Sequence, residues 1–283
     1  MENLKTIKNR IRTIDSIIKA TNAMKMVSTA KLAKVNNSSK FSRRCCDVLR
    51  EMILKAVNEA IFKDAIDQDS WLNRDVGKSL IVILSTDQGF CGSFHQSINE
   101  AAKKVAAEYN GAYIEIFGKK ELHSTRRSMA RPVDIAGPGR MLNAIAFSKA
   151  VAGIVMEYVI HHDVTDVLVI SGKMKNMLSQ NAVCTKILPI ERRSVIDSEC
   201  ISIDGSWQEF IDSAFGMYIS RLFVSIVTEH LVAEYSARVM AMDSSVRNAN
   251  GIRDELSILY NNIRQAKITQ ELTEIVASVE CIQ

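Results

Sequence analysis

Helix breakers are missing from both ends of this chain. The first 76 residues contain neither proline nor glycine, and the last 77, from Trp207, contain no proline and only Gly216 and Gly251. All three prolines (Pro132, Pro138 and Pro189) lie in between. Proline and glycine are what end helices, so nothing local stops each end from forming one very long helix. An uninterrupted apolar run of about 18 residues, the length a membrane span needs, is also lacking. The opening "MENLKTIKNRIR" carries no apolar signal-peptide core. Its six cysteines (45, 46, 91, 184, 200 and 281) form no C-x-x-C pair. That argues against zinc and a disulfide framework, and it favours a reducing cytoplasm. Aromatic residues are absent before Phe41.

What is present at the two ends is charge and periodicity. Residues 1–50 hold 12 Lys/Arg against 3 Asp/Glu, or +9, and residues 207–283 hold 6 against 10, or −4. The ends are electrostatically complementary. Leu4, Ile7, Ile11, Ile14, Ile18 and Thr21 follow the 3-4 spacing of a coiled-coil seam. The register then meets Lys25 and Ser28 before Leu32 and Val35 resume it. Near the other end Ile252, Leu256, Leu259, Ile263 and Ala266 repeat the spacing, and Ile268, Leu272, Ile275 and Val279 continue it after a slip of two residues. A helix of about 74 residues is roughly 110 Å long, against a radius of gyration of about 19 Å for a compact chain of this length. Such a helix is expected to project as a rod, with the basic N-terminal helix wound against it antiparallel.

The middle has another rhythm. "SLIVIL" (79–84), "AYIEIFG" (112–118), "RPVDIAG" (131–137), "DVLVISG" (166–172) and "VCTKILPI" (183–190) read as strands, with helical patterns at 93–109 and 141–161. Alternating strand and helix predict a mostly parallel α/β, Rossmann-like domain. The expected organisation is an N-terminal coiled-coil helix over 1–76, the α/β domain over 77–195 and a C-terminal coiled-coil helix over 207–283.

Four places could carry chemistry. "STDQGFCGSF" (85–94) joins a strand to a helix and holds Cys91 between Gly89 and Gly92. It lacks the lysine of a phosphate-binding loop and the third glycine of a dinucleotide fingerprint. Cys91 near a helix N-terminus, with His95 as base, is one reading. A tight turn in which Asp87 caps the next helix is the other. "HHD" (161–163) is either a metal fragment or a solvated helix end. The basic residues Lys8, Arg10, Arg12, Lys19, Lys25, Lys31 and Lys34 could meet nucleic acid, but the seam between them and the missing aromatics favour an acidic protein partner or helix. In "RQAKITQELTEIV" (264–276), Gln265 and Thr269 are an i,i+4 pair beside Arg264. That group makes either a docking patch or a solvated surface.

Three segments resemble the gamma subunit of the rotary ATP synthase. These are "IKNRIRTIDSIIKATNAMKMVSTAKL", then "STDQGFCGSF" against a family pattern D-[RK]-G-L-C-G, and "ARVMAMDSSVRNA" with "LYNNIRQAKITQELTEIV". The resemblance implies a non-catalytic shaft with no cofactor, metal or nucleic-acid partner and no membrane span of its own. It would turn inside a hexamer of alpha and beta subunits, with the epsilon subunit and the membrane ring of subunit c at its foot, on the cytoplasmic face of a bacterial inner membrane. The resemblance further implies beta-subunit contacts by Arg264, Gln265 and Thr269 above, and by Met24, Lys25, Arg238 and the Cys91 loop below. It makes that loop a structural turn. Lys25 on the seam would then face a partner and not the other helix. Gln88 replaces the family's usual basic residue, His95 its usual Asn, and the chain ends "ASVECIQ" where the family is small and apolar. The alternative is an α/β enzyme with a Cys91 nucleophile and helical arms for oligomerisation.

Overall fold

Strand β1 (Lys78–Leu84) shows why the middle folds as it does. Its side chains alternate between two faces, and both faces are apolar. Leu80, Val82 and Leu84 enter one core while Ile81 and Ile83 enter another, all at 2 % exposure or less. A strand buried on both sides belongs inside a sheet covered by helices. The computed structural model describes residues 4–62, 77–86, 88–118, 144–189 and 205–280. Among these run α1 (Leu4–Phe62), β1, α2 (Phe94–Glu108), β2 (Tyr113–Phe117), α3 (Ala144–His161), β3 (Val164–Asn176), β4 (Ser179–Leu188) and α4 (Trp207–Glu280). The expected strand at 131–137 lies outside the described residues.

The sheet order is β2-β1-β3-β4. β1 pairs parallel with β2 and β3, and β4 returns antiparallel along β3. The sheet is therefore mixed. β3 and β4 run longer than their apolar cores because a two-residue turn, Met177–Leu178, lets them continue pairing as a hairpin.

Contacts divide the chain into two compact units, Met1–Ser28 with Val239–Gln283, and Thr29–Arg238. The boundaries of these units fall inside both long helices. In the Thr29–Arg238 unit, α2 covers one face of the sheet through Phe94, Ile98, Ala102 and Val105. The other face packs against Phe147, Val151, Val155 and Val159 of α3, Phe215, Ile219 and Phe223 of α4, and Ile53 and Val57 of α1. Each fully buried side chain of this size contributes about 1.5–3 kcal/mol. Helices α1 and α4 run antiparallel here: Lys31 lies over the Tyr235 ring and Arg43 pairs with Glu229, so the numbers climb on one helix as they fall on the other.

In the unit Met1–Ser28 with Val239–Gln283, the seam of α1 is as the spacing predicts. Leu4, Ile7, Ile11, Ile14, Ile18, Thr21, Lys25 and Ser28 are half-buried or buried, while the positions between them are mostly exposed. On α4 the covered positions include Met242, Asp243, Val246, Ala249, Arg253, Leu256, Ser257, Tyr260 and Ile263. Leu256 and Ile263 match the expected register; Ile252 (48 % exposed) and Leu259 (39 %) fall off it. Positions 264–278 are all exposed.

An 18-residue window of α4 reaches a mean hydropathy of 1.4, and 56 % of it is buried inside the chain. A helix apolar on most sides is expected where it crosses a protein core.

Candidate functional site

The loop at 85–93 is built by two left-handed residues and one buried arginine. Phe90 (φ 63°) and Gly92 (φ 58°) reverse the backbone between β1 and α2. A bulky residue at positive φ is an outlier that needs support from its surroundings. The support comes from α4: Arg238, 5 % exposed, donates from Nε to the Gly89 carbonyl (3.2 Å) and from Nη2 to the Gln88 carbonyl (3.1 Å). The same Nη2 pairs with Glu234 at 2.6 Å, and the guanidinium lies 5.5 Å from the Tyr235 ring centre. A planar fork with five donors suits this task.

Residues 230, 234 and 238 form one stripe, spaced i, i+4 and i+8 along α4. His230 Nδ1 accepts the Gly172 N–H at 3.0 Å, so the neutral ring carries its proton on Nε2, 3.9 Å from Glu234. Gly172 is glycine for a steric reason. A Cβ there would sit 2.2 Å from the Phe94 ring, so α2 could not approach β3 this closely. Sequence reasoning missed His230 and Glu234. The signal was present as H-x-x-x-E-x-x-x-R inside an otherwise apolar helical run.

Cys91 is 3 % exposed and packs among Phe94, Ile98 and Ile81. Its neighbour on the loop, Phe90, points the other way at 68 % exposure. His95 Nδ1 lies 3.1 Å from Thr86 Oγ1. Asp87, the expected cap, lies outside the described residues. The N-cap of α2 is Ser93, with no side-chain bond. At 161–163, α3 ends at His161, and His162 rests 5.0 Å from the Tyr158 ring.

Lys25 lies 2.5 Å from Asp243 of α4. The structure thus corrects one expectation: this seam lysine faces the other helix. Asp243 also pairs with Arg247 at 3.1 Å. The Lys25 hydrogen bond, seconded by Arg247, holds the Asp243 carboxyl below the usual carboxylate value. Met24, beside it, is 47 % exposed. Arg264, Gln265 and Thr269 are exposed on α4, where Thr269 Oγ1 donates to the Gln265 carbonyl. Arg238 and Cys91 are therefore inward-facing, and the remaining predicted positions are surface or seam positions.

Two long helices, paired antiparallel and packed with α3 on one face of a four-stranded α/β sheet, define a coiled-coil scaffold fold. The family model described as ATP synthase matches residues 3–282. Curated relatives match over the whole of both chains: the ATP synthase gamma chain of a Geobacter species is 28 % identical over 292 residues, and that of Rickettsia felis 27 % over 290. Among solved structures, the Euglena gracilis mitochondrial ATP synthase (OSCP/F1/c-ring) contains a chain with TM-score 0.61 and 17 % identity, covering 99 % of this chain and 94 % of that one. The central stalk and c-ring of the Tetrahymena thermophila mitochondrial ATP synthase gives 0.60 at 19 %, covering 80 % and 99 %. The chain belongs to the ATP synthase gamma family, a non-catalytic subunit of the membrane-associated ATP synthase complex. A Cys91 enzyme is not favoured.

Proposed function

We propose that this chain is the turning shaft that couples rotation of a membrane ring of subunit c to conformational cycling of catalytic beta subunits. The observation that carries the proposal is the end of α4. Every position from 264 to 278 is exposed, including Ile268, Leu272, Ile275 and Val276 at 48–59 %. An apolar helix face that none of the other described residues covers calls for a partner, and the alternating alpha and beta subunits fit that need. Arg264, Gln265 and Thr269 share this end and are assigned to the upper beta contact.

Met24, Arg238 and the Cys91 loop are assigned to the lower beta contact, with roles set by their burial. Arg238 and Cys91 hold the loop from inside, and Phe90 and Gln88 form its outward surface. Lys25 keeps Asp243 in register while Met24 faces outward. The epsilon subunit and the ring of subunit c complete the foot, on the cytoplasmic face of a bacterial inner membrane.

A shaft drives chemistry only through differences in contact free energy between the faces it presents. The coupling is reciprocal, so nucleotide binding biases shaft angle as shaft angle biases nucleotide affinity. The test is co-expression with the alpha and beta subunits of the same organism, followed by ATP hydrolysis assays with and without this chain. One copy per hexamer, with hydrolysis dependent on it, is expected. A chain that elutes alone and leaves hydrolysis unaltered overturns the reading.

A further inference from the structure

A groove of about 1100 Å³ opens in the Thr29–Arg238 unit where α1, α3 and α4 converge. Its walls are apolar and wet. Phe41 and Val48 of α1, Ile145 of α3 and Met217 of α4 line it at 69, 66, 57 and 56 % exposure. Scattered apolar side chains on a surface need no explanation, but four large ones around one concavity do. Each of the three helices also contributes one cation to the lining: Arg44, Lys149 and Arg221. Among the described residues the lining holds no carboxylate, and none of the three cations has an ion-pair partner. The contrast with Arg43 is local, since that side chain pairs with Glu229.

We propose that this groove docks an acidic amphipathic helix of a partner protein. A concavity between helices accepts a helix by its apolar stripe at i, i+3, i+4 and i+7. Phe41, Val48, Ile145 and Met217 supply the surface for that stripe. Carboxylates flanking the stripe would meet the three cations at the rim, where opposite charge sets partner choice and approach rate. A nucleic acid would gain from the cations but nothing from the apolar walls. The proposal does not rest on the shaft reading, because it concerns a surface distant in sequence from residues 264–278.

The test uses the purified full chain and two designed helical peptides with the same leucine stripe, one flanked by glutamates and one by lysines. Fluorescence anisotropy is expected to show the acidic peptide binding at least about tenfold more tightly at low salt. Arg44→Glu with Arg221→Glu, both exposed positions, is expected to reverse that preference, and Met217→Asp to weaken both peptides. Equal binding of the two peptides, or acidic-peptide binding unaltered in the double variant, overturns the proposal. A photo-crosslinking residue in place of Met217, in the whole assembled complex, gives the second readout. Adducts on an acidic helical segment of another subunit support the docking role. Adducts only on this chain or on lipid, or none on protein, overturn it.

Discussion

Arg238 donates three hydrogen bonds from one buried guanidinium, and two of its acceptors are backbone carbonyls of a loop 149 and 150 residues away in sequence. Arg238→Ala removes the 2.6 Å ion pair to the buried Glu234 and both bonds to the loop carbonyls, and the expected loss is about 3–5 kcal/mol. The denaturant midpoint of the isolated chain measures it, and the double change Arg238→Met, Glu234→Leu is expected to recover part of the loss, because the loop carbonyls stay without their donor. Asp243 makes a pH-dependent contribution instead. Its folded pKa lies below the unfolded value, so its stabilisation is complete above about pH 4 and disappears as pH falls through the folded pKa. The stability difference between the unaltered chain and Asp243→Asn is expected to be constant from neutral pH down to about 5 and to vanish in strong acid. Thermal unfolding across that range checks it.

At the scale of elements, the two long helices were not equally legible. The N-terminal seam could be read directly because its covered positions are mostly aliphatic, with only Thr21, Lys25 and Ser28 interrupting. On α4 the covered positions include Arg253 and Tyr260, whose long apolar stems fill a seam that a tally of aliphatics scores as polar. The tally therefore settled on Ile252 and Leu259, which stand in solvent. Beyond Ile263 the apolar period continues with nothing among the described residues opposite it. Periodicity reports that a face is apolar and not what covers it. The strand pattern of the middle was legible for the same reason that made α1 so, while the hairpin extension of β3 and β4 was not, because its outer residues are polar. The loop's architecture was half legible. Two glycines announced a turn, but its clamp comes from a residue far along the chain. Gly251 offers a clean element-scale prediction. A Cβ there meets nothing within 4 Å, and glycine inside a helix costs about 0.8–1 kcal/mol relative to alanine. Gly251→Ala is expected to raise the thermal midpoint of the isolated chain, with a gain of about 0.5–1 kcal/mol.

For the whole molecule, stability and assembly separate along α4. Replacing Ile268, Leu272 and Ile275 with glutamine is expected to leave the isolated chain within about 0.5 kcal/mol of its starting stability, since these side chains are already in water. Copurification with the alpha and beta subunits is expected to fall sharply. Arg264→Ala in an intact assembly is expected to lower the coupling between hydrolysis and rotation without abolishing it, because one lost contact leaves the helix itself in place. Complete loss of activity would contradict that. The antiparallel register adds a further consequence. Twenty-one residues back from Lys25 is Leu4, and twenty-one on from Asp243 is Arg264. Among the described residues the double-stranded stretch therefore ends where the exposed stretch begins. Flexural and torsional rigidity rise steeply with cross-section, so the paired length is the stiff member and the single-stranded end the compliant one. Under torque, elastic strain collects in that thin terminal segment and leaves the paired length nearly undeformed.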